Sequence, residues 1–355
     1  MIVKSLFLHL IIIFYQILLS LLSIMTIIPT LMITNLSFEP ARLGNYMELV
    51  PYITTMSKLY DAKSLYAGYD MENPESFADC YDQRVYKYFL ETGKVTENPL
   101  ELMSRTIHDF FMRKYINELL DCYGPRVVGV MGGSAMRRDD ESYKQIALIS
   151  KKLTESDILM ISGGGSGAME ATSLGGMMAG RTPVELEDAL SILSKSPKYG
   201  TEGYMETAFD VYYRYPQKDD YECLSIPTWL YGHEPTAPFA SHIGKLFENS
   251  IREDLLLTTA IGGLIYTPGS AGTMQEIFQE AVQNHYLTFG FSSPMVFLGK
   301  KFWTETMPAY AMLSQLMETG RYKNLKLFIT DDPDEVVEVI LGFQRDIEAL
   351  CPKID

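Results

Sequence analysis

The chain has 355 residues, 47% hydrophobic and 21% charged, an ordinary globular composition with ample material for a core. Its 45 acids against 30 Lys and Arg give a formal charge of −15, which argues against nonspecific attachment to nucleic acid or anionic lipid. A small anionic ligand would therefore need a local pocket of amides and arginine, because the overall field repels it.

From Ser5 to Leu36 the polar interruptions are His9, Gln16 and a few Ser, Thr and Asn, so the run exceeds the ~20 residues that cross a bilayer. It is too long for a signal-peptide core and lacks a small-x-small cleavage site. Two readings stand: a single-pass anchor at residues 5–36, with Lys4 on its inner side, or translation that begins downstream at Met25, Met32 or Met47. Residues 37–124 read as a linker followed by a helical extension. In it Phe77, Tyr81, Val85 and Phe89, then Leu102, Ile107, Phe111 and Tyr115, recur at near-helical spacing and read as packing stripes.

From residue 125 the texture alternates between strand and helix up to residue 350. Apolar runs at Val127–Met131, Ile158–Ile161, Cys223–Trp229, Gly263–Tyr266, Met295–Leu298 and Leu325–Ile329 predict six strands. Helices are predicted over 142–153, 168–178, 243–259, 272–286, 304–317 and 333–350, and an insertion over 181–221 reads as a surface excursion or lid. Short apolar runs alternating with helices predict parallel strands buried on both faces. The fold class is thus α/β: a doubly wound, mostly parallel, Rossmann-like three-layer sheet with an N-terminal helical extension. Its ligands bind at the carboxyl ends of the strands.

Three glycine-rich turns fall at those ends. They are Gly132-Gly133-Ser134, Gly163-Gly164-Gly165-Ser166-Gly167 and Pro268-Gly269-Ser270-Ala271-Gly272-Thr273. Missing Cβ atoms let backbone N–H groups approach an anion, and each following helix adds the positive end of its dipole. Four glycines within 163–167 exceed what a tight turn needs, and Thr273 adds a hydroxyl donor. Glu170 and Glu276 each follow their turn within the first helical residues. Glu276 reads either as a first-turn acid complementing its helix dipole or as a carboxylate reaching the group beyond a bound phosphate. Arg252, in Asn249-Ser-Ile-Arg-Glu-Asp254, reads as its charge partner or as a surface ion pair with Glu248 or Glu253.

No metal or cofactor is expected. The histidines His9, His108, His233, His242 and His285 show no HxxxH or HExxH grouping, and nothing marks a Schiff-base lysine. His233 and His242 read as structural histidines, with a place near a base pocket as the other reading. Cys80, Cys122, Cys223 and Cys351 lie far apart with no CxxC pair and read as free thiols, with a disulfide framework or a zinc site as the alternatives.

The segments Gly163-Gly-Gly-Ser-Gly-Ala-Met-Glu170 and Pro268-Gly-Ser-Ala-Gly-Thr-Met-Gln-Glu276, with Arg252 between them, resemble the LOG ("lonely guy") family, long mislabelled lysine decarboxylases. The resemblance covers roughly Arg126–Leu298. The family pattern is Pro-Gly-Gly-x-Gly-Thr-x-x-Glu, and this chain departs from it at Ser270, where the second glycine is usual. The Gly-Ala-Met-Glu-Ala wording, the helical extension and Glu234-Pro-Thr-Ala-Pro-Phe239 look more like the larger bacterial nucleotide 5′-monophosphate nucleosidases than the short plant-type enzymes. The resemblance implies a Rossmann-like phosphoribohydrolase that splits a nucleoside 5′-monophosphate into free base and ribose 5-phosphate. It also implies a dimer or higher oligomer, with Arg252 and Glu276 catalytic and the three turns, with Glu170, binding substrate. A cytoplasmic catalytic domain follows from that substrate. The alternatives are a non-catalytic nucleotide-binding or sensing protein with the same cradle, and a membrane-tethered structural partner of a nucleotide enzyme.

Overall fold

The computed structural model describes residues 40–350. The hydrophobic run 1–36, with the span expected at 5–36, and Cys351 lie outside the described residues. Among the described residues, no helix is long and apolar enough to cross a membrane. They fall into two units, 40–50 and 51–350. The first holds one short helix, α1 (Pro40–Met47).

In the second unit the helices are, in chain order, α2 (Ala62–Leu65), α3 (Tyr81–Glu91), α4 (Pro99–Tyr123), α5 (Glu141–Thr154), α6 (Ala168–Met177), α7 (Pro183–Leu193), α8 (Tyr204–Arg214), α9 (Asn249–Thr259), α10 (Ala271–Tyr286), α11 (Ala309–Glu318) and α12 (Pro333–Leu350). Strands β1 (Val127–Met131), β2 (Leu159–Ser162), β3 (Cys223–Ser225), β4 (His242–Ile243), β5 (Gly263–Tyr266), β6 (Pro294–Leu298) and β7 (Lys326–Thr330) form one sheet. Every pairing is parallel, in the order β4-β3-β2-β1-β5-β6-β7. The doubly wound α/β fold is therefore the architecture of this chain. Strands β1, β2, β5 and β6 are buried along their whole length, as a sheet covered by helices on both faces requires. The chain winds outward from β1 to β4 and returns at β5 beside β1, which makes the β1–β5 junction the switch point where such sheets bind ligands.

Four expectations change. The strand after residue 222 stops at Ser225, and Ile243, read as the start of a helix, belongs instead to a seventh strand two residues long, His242–Ile243. A two-residue strand is too short to show any period. The stretch 51–74 is not loose: Tyr60 exchanges backbone hydrogen bonds with Ile243 at 3.0 and 2.7 Å, and Tyr60, Leu65 and Tyr66 are buried. The insertion 181–221 is two packed helices. Thr182-Pro-Val-Glu185 closes a reciprocal capping box on α7, and Leu193, Ala208 and Phe209 are buried.

Helix α4 buries a face other than the one its apolar stripe suggests. Leu102 is 54% exposed, whereas Glu101, Ser104, Arg105, His108, Asp109, Met112 and Ile116 are buried. The buried charges are partnered: Arg105 Nε donates to Glu101 at 2.7 Å, and the Asp109 carboxylate accepts the amides of Phe247 and Glu248 at 2.8–3.1 Å. A paired polar face can be buried, which an apolar count misreads.

Candidate functional site

The three glycine-rich turns converge. Gly132–Ser134, Gly163–Gly165 and the Ser270–Thr273 turn line a single cleft of ≈ 440 Å³, together with Arg252 and Glu276. The turns brace one another. Gly133 N–H donates to Pro268 O at 3.1 Å, Ala168 N–H to Gly133 O at 3.3 Å, and Ser166 Oγ to Ser134 O at 2.9 Å. Gly167 permits this closeness: it holds φ +66, and a Cβ there would strike the Gly133 and Ser134 carbonyl groups.

Arg252 enters from α9. Its Nε donates to Ile226 O at 2.9 Å and its Nη2 to Gly163 O at 3.4 Å, so the guanidinium is held by the ends of β2 and β3. A Cβ on Gly163 would overlap Nη2. Gly163→Ala is therefore expected to push Arg252 aside and break its hydrogen bond to Gly163 O, leaving the fold intact. A crystal structure of the variant beside a thermal melt will check both.

Glu276 lies one turn into α10, half-buried in the cleft wall. Burial pushes its carboxyl up to about 7; the Arg252 charge opposes this, and Glu253 adds to it. Arg252 is itself shifted down by burial. The two side chains form no ion pair, although their charges interact. The arginine thus does not hold Glu276 at the ordinary carboxylate value, contrary to what its place in the sequence suggests, because desolvation outweighs a single cation that is engaged elsewhere.

Ser270 stands at the N-cap position of α10 with φ −127, makes no side-chain capping hydrogen bond, and is exposed to the cleft. A negative φ is open to serine, so no glycine is required at that position. Thr273 is buried, with its Oγ1 packed where a side chain on Gly269 would stand.

Other expected binding residues stand apart from the cleft. Glu170, on α6, points away from it. Arg138 donates to Glu170 through Nη2 at 2.6 Å and Nε at 2.8 Å, and the Tyr143 and Tyr204 hydroxyls donate to it at 2.9 and 3.2 Å. With Glu170 only 1% exposed, this is an internal brace between the β1 turn, α6 and α8 and not a ligand contact. Gly167 serves the backbone contact described above. Pro268 and Gly269 line an adjoining cleft that shares Gly133, Ser134 and Ser270, and Ala271 lines neither.

Sequence reasoning pointed to the 181–240 stretch and to His233 for a further wall of the cleft, opposite α10, but did not name its other residues. This wall comes from the loop after β3 and includes Thr228, Tyr231, His233, Glu234 and Thr236. His233, read as structural or as near a base pocket, is exposed in this wall, whereas His242 Nε2 donates to Glu222 Oε1 at 2.8 Å outside the cleft. The Glu234-Pro-Thr-Ala-Pro-Phe239 segment was visible as a motif, but nothing in its spacing marks a direction. The N-terminal extension fixes this wall. Asp82, on α3, accepts from Lys245 Nζ at 2.6 Å and Trp229 Nε1 at 3.0 Å; Lys245 also reaches Thr236 Oγ1 at 3.1 Å, and the Tyr66 hydroxyl donates to Thr236 O. Among the described residues no group of three or more His, Cys, Asp or Glu side chains is placed to hold a metal ion.

No family model matches the chain, and no curated protein matches it. Among solved structures, a molybdenum cofactor binding protein from the phototrophic bacterium Rippkaea orientalis aligns with 61% of this chain and 96% of its own. The identity is 13% and the TM-score 0.38, a likeness too slight to carry an argument.

Proposed function

We propose that the protein hydrolyses the N-glycosidic bond of a nucleoside 5′-monophosphate, releasing free base and ribose 5-phosphate. The observation that carries this reading is Glu276: a half-buried carboxyl with a pKa of about 7, beside Arg252, one helical turn beyond an amide-lined loop. The LOG-like wording of residues 163–170 and 268–276 supports it.

The backbone at Ser270, Gly272 and Thr273, at the N-terminus of α10, takes the 5′-phosphate, whose binding energy positions C1′. Breaking the C1′–N bond leaves an oxocarbenium-like ribosyl centre, and the electron pair departs with the base, which takes up a proton from solvent. Ionised Glu276 stabilises that centre and accepts a proton from the water whose oxygen bonds to C1′. Arg252 contacts ribose or phosphate. Such a substrate places the catalytic domain in the cytoplasm.

Incubation of the protein with AMP, GMP, CMP and UMP, followed by assay of ribose 5-phosphate, tests the reaction. Nucleotide binding without release in any case would favour a sensing module instead. Because the reaction uses the ionised form of Glu276, kcat/KM is expected to rise about tenfold per pH unit up to about 7 and to level off above it. A flat profile from pH 5.5 to 8 contradicts the assignment.

A further inference from the structure

The cleft holds three carboxylates and, among its described lining residues, a single Arg or Lys side chain, Arg252. That balance disfavours an anion unless each carboxylate is otherwise engaged. Glu276 is half-protonated near pH 7. Glu253 accepts from Asn249 Nδ2 at 2.7 Å and Gln275 Nε2 at 3.3 Å. Glu234 has no such donor: its nearest is Ser166 Oγ at 3.4 Å, whose one proton is already given to Ser134 O at the shorter distance of 2.9 Å.

Glu234 is nevertheless held in place. Its N–H donates to Tyr231 O at 2.9 Å, the Tyr199 hydroxyl donates to the preceding His233 carbonyl, and Ala237 N–H donates to Gly164 O at 2.9 Å. Its Oε2 stands 3.5 Å from where a side chain on Gly165 would begin, beside the Met169 methyl group, and Glu234 lines the cleft there. A fixed carboxylate with unused lone pairs, in a cleft built of anion-binding amides, fits a ligand that brings hydroxyl or amino donors as well as a phosphate.

Its position selects among those donors. Glu234 neighbours Ser166, Ser166 is bonded to Ser134, and the adjacent Gly133 is bonded to Pro268 of the phosphate loop. The donors a nucleotide carries close to its phosphate are the sugar hydroxyls, and a carboxylate with unused lone pairs accepts from them. We propose that Glu234 accepts hydrogen bonds from the 2′- and 3′-hydroxyls of the substrate and makes the site selective for ribonucleotides over 2′-deoxyribonucleotides. This rests on the nucleotide reading of the cleft.

The test compares AMP with 2′-deoxy-AMP and GMP with 2′-deoxy-GMP, in wild type, Glu234→Ala and Glu234→Gln, by release of sugar phosphate and by calorimetric titration. Wild type is expected to favour the ribonucleotide at least about 10²-fold, since a site built around a hydroxyl strongly rejects the analogue lacking it. Glu234→Ala should lower the ribonucleotide value by a similar factor, leave the deoxyribonucleotide within a few-fold, and bring the ratio close to one. Glu234→Gln should fall between, with an unchanged thermal midpoint. A ratio that is unaltered by Glu234→Ala overturns this inference alone, as does a variant that changes only the ranking of bases. Titration keeps the question decidable if no hydrolysis occurs, because the ribo-to-deoxy ratio is then read from Kd. Binding of none of the four nucleotides overturns both the inference and the nucleotide reading.

Discussion

Glu276→Gln is expected to lower kcat by about 10³-fold while leaving the dissociation constant for nucleotide within a few-fold. Removal of a positioned proton-transfer group typically costs 10²–10⁴-fold, and the glycine-rich turn before α10, proposed to take the phosphate, is untouched by the change. The same substitution is expected to make the protein more stable in mild alkali. Burial lifts the Glu276 carboxyl to about 7 from its ordinary 4.5, so the folded state holds the proton more tightly than the unfolded chain does. Folding is therefore penalised progressively as pH rises from about 4.5 to 7, and fully above that, by up to ~3 kcal/mol. Glutamine escapes the penalty. The thermal midpoint of Glu276→Gln should match wild type near pH 4.5 and exceed it at pH 8. Glu280, buried on the same helix with Ser293 Oγ donating to it, is also pushed up to about 7 and adds a similar slope, so wild type itself should melt earlier at pH 8 than at pH 5.5. Loss of activity accompanied by a lower midpoint at pH 8 would point to structural damage, not to removal of the reacting carboxylate.

Asp82→Ala is expected to cost about 3–5 kcal/mol of stability, the usual effect of leaving one member of a buried ion pair alone. The Lys245 and Asp82 side chains are 1% and 0% exposed, and the Asp82 carboxylate also receives the indole N–H of a wholly buried Trp229. Truncation thus strands a cation and a donor together. Since Lys245, Trp229 and Thr236 belong to the stretch that forms the wall opposite α10, nucleotide affinity should fall even at temperatures where the variant remains folded. Replacing both members, Asp82→Leu with Lys245→Met, should recover much of the stability, as apolar replacements of buried pairs commonly do. A double variant no more stable than Asp82→Ala would show that the indole contact, and not the ion pair, carries the loss.

Much of the fold was legible because parallel strands buried on both faces leave short apolar runs: 127–131, 263–266 and 294–298 were found within a residue or so. That the three turns, Arg252 and Glu276 share one cleft was legible because a doubly wound sheet brings the carboxyl ends of its strands together. What escaped was set by long-range partners. β4 exists because two residues lie beside β3 and Tyr60, and its own sequence carries no alternation. Glu170 looked like a ligand residue by its place after a glycine turn, but Arg138, 32 residues earlier, claims both of its oxygens. Glu234 faces the cleft because Tyr199 and the Gly164 carbonyl grip the loop on either side of it. Such pairings depend on which segments meet, and no local pattern encodes that.

The clamp between the extension and the cleft wall has a consequence for how the chain is made. Asp82 precedes its partner Lys245 by 163 residues, and Asp109 precedes Phe247 by 138. Synthesis at ~5–20 residues per second therefore leaves the extension without these partners for roughly 10–30 s after it has been translated. During that interval two carboxylates destined for the interior stay in water, and the helices carrying them cannot close over the apolar surface beside them. Residues 51–124 are thus completed by the ribosome early and by folding late, and a nascent chain arrested before residue 245 should remain open to protease in this region.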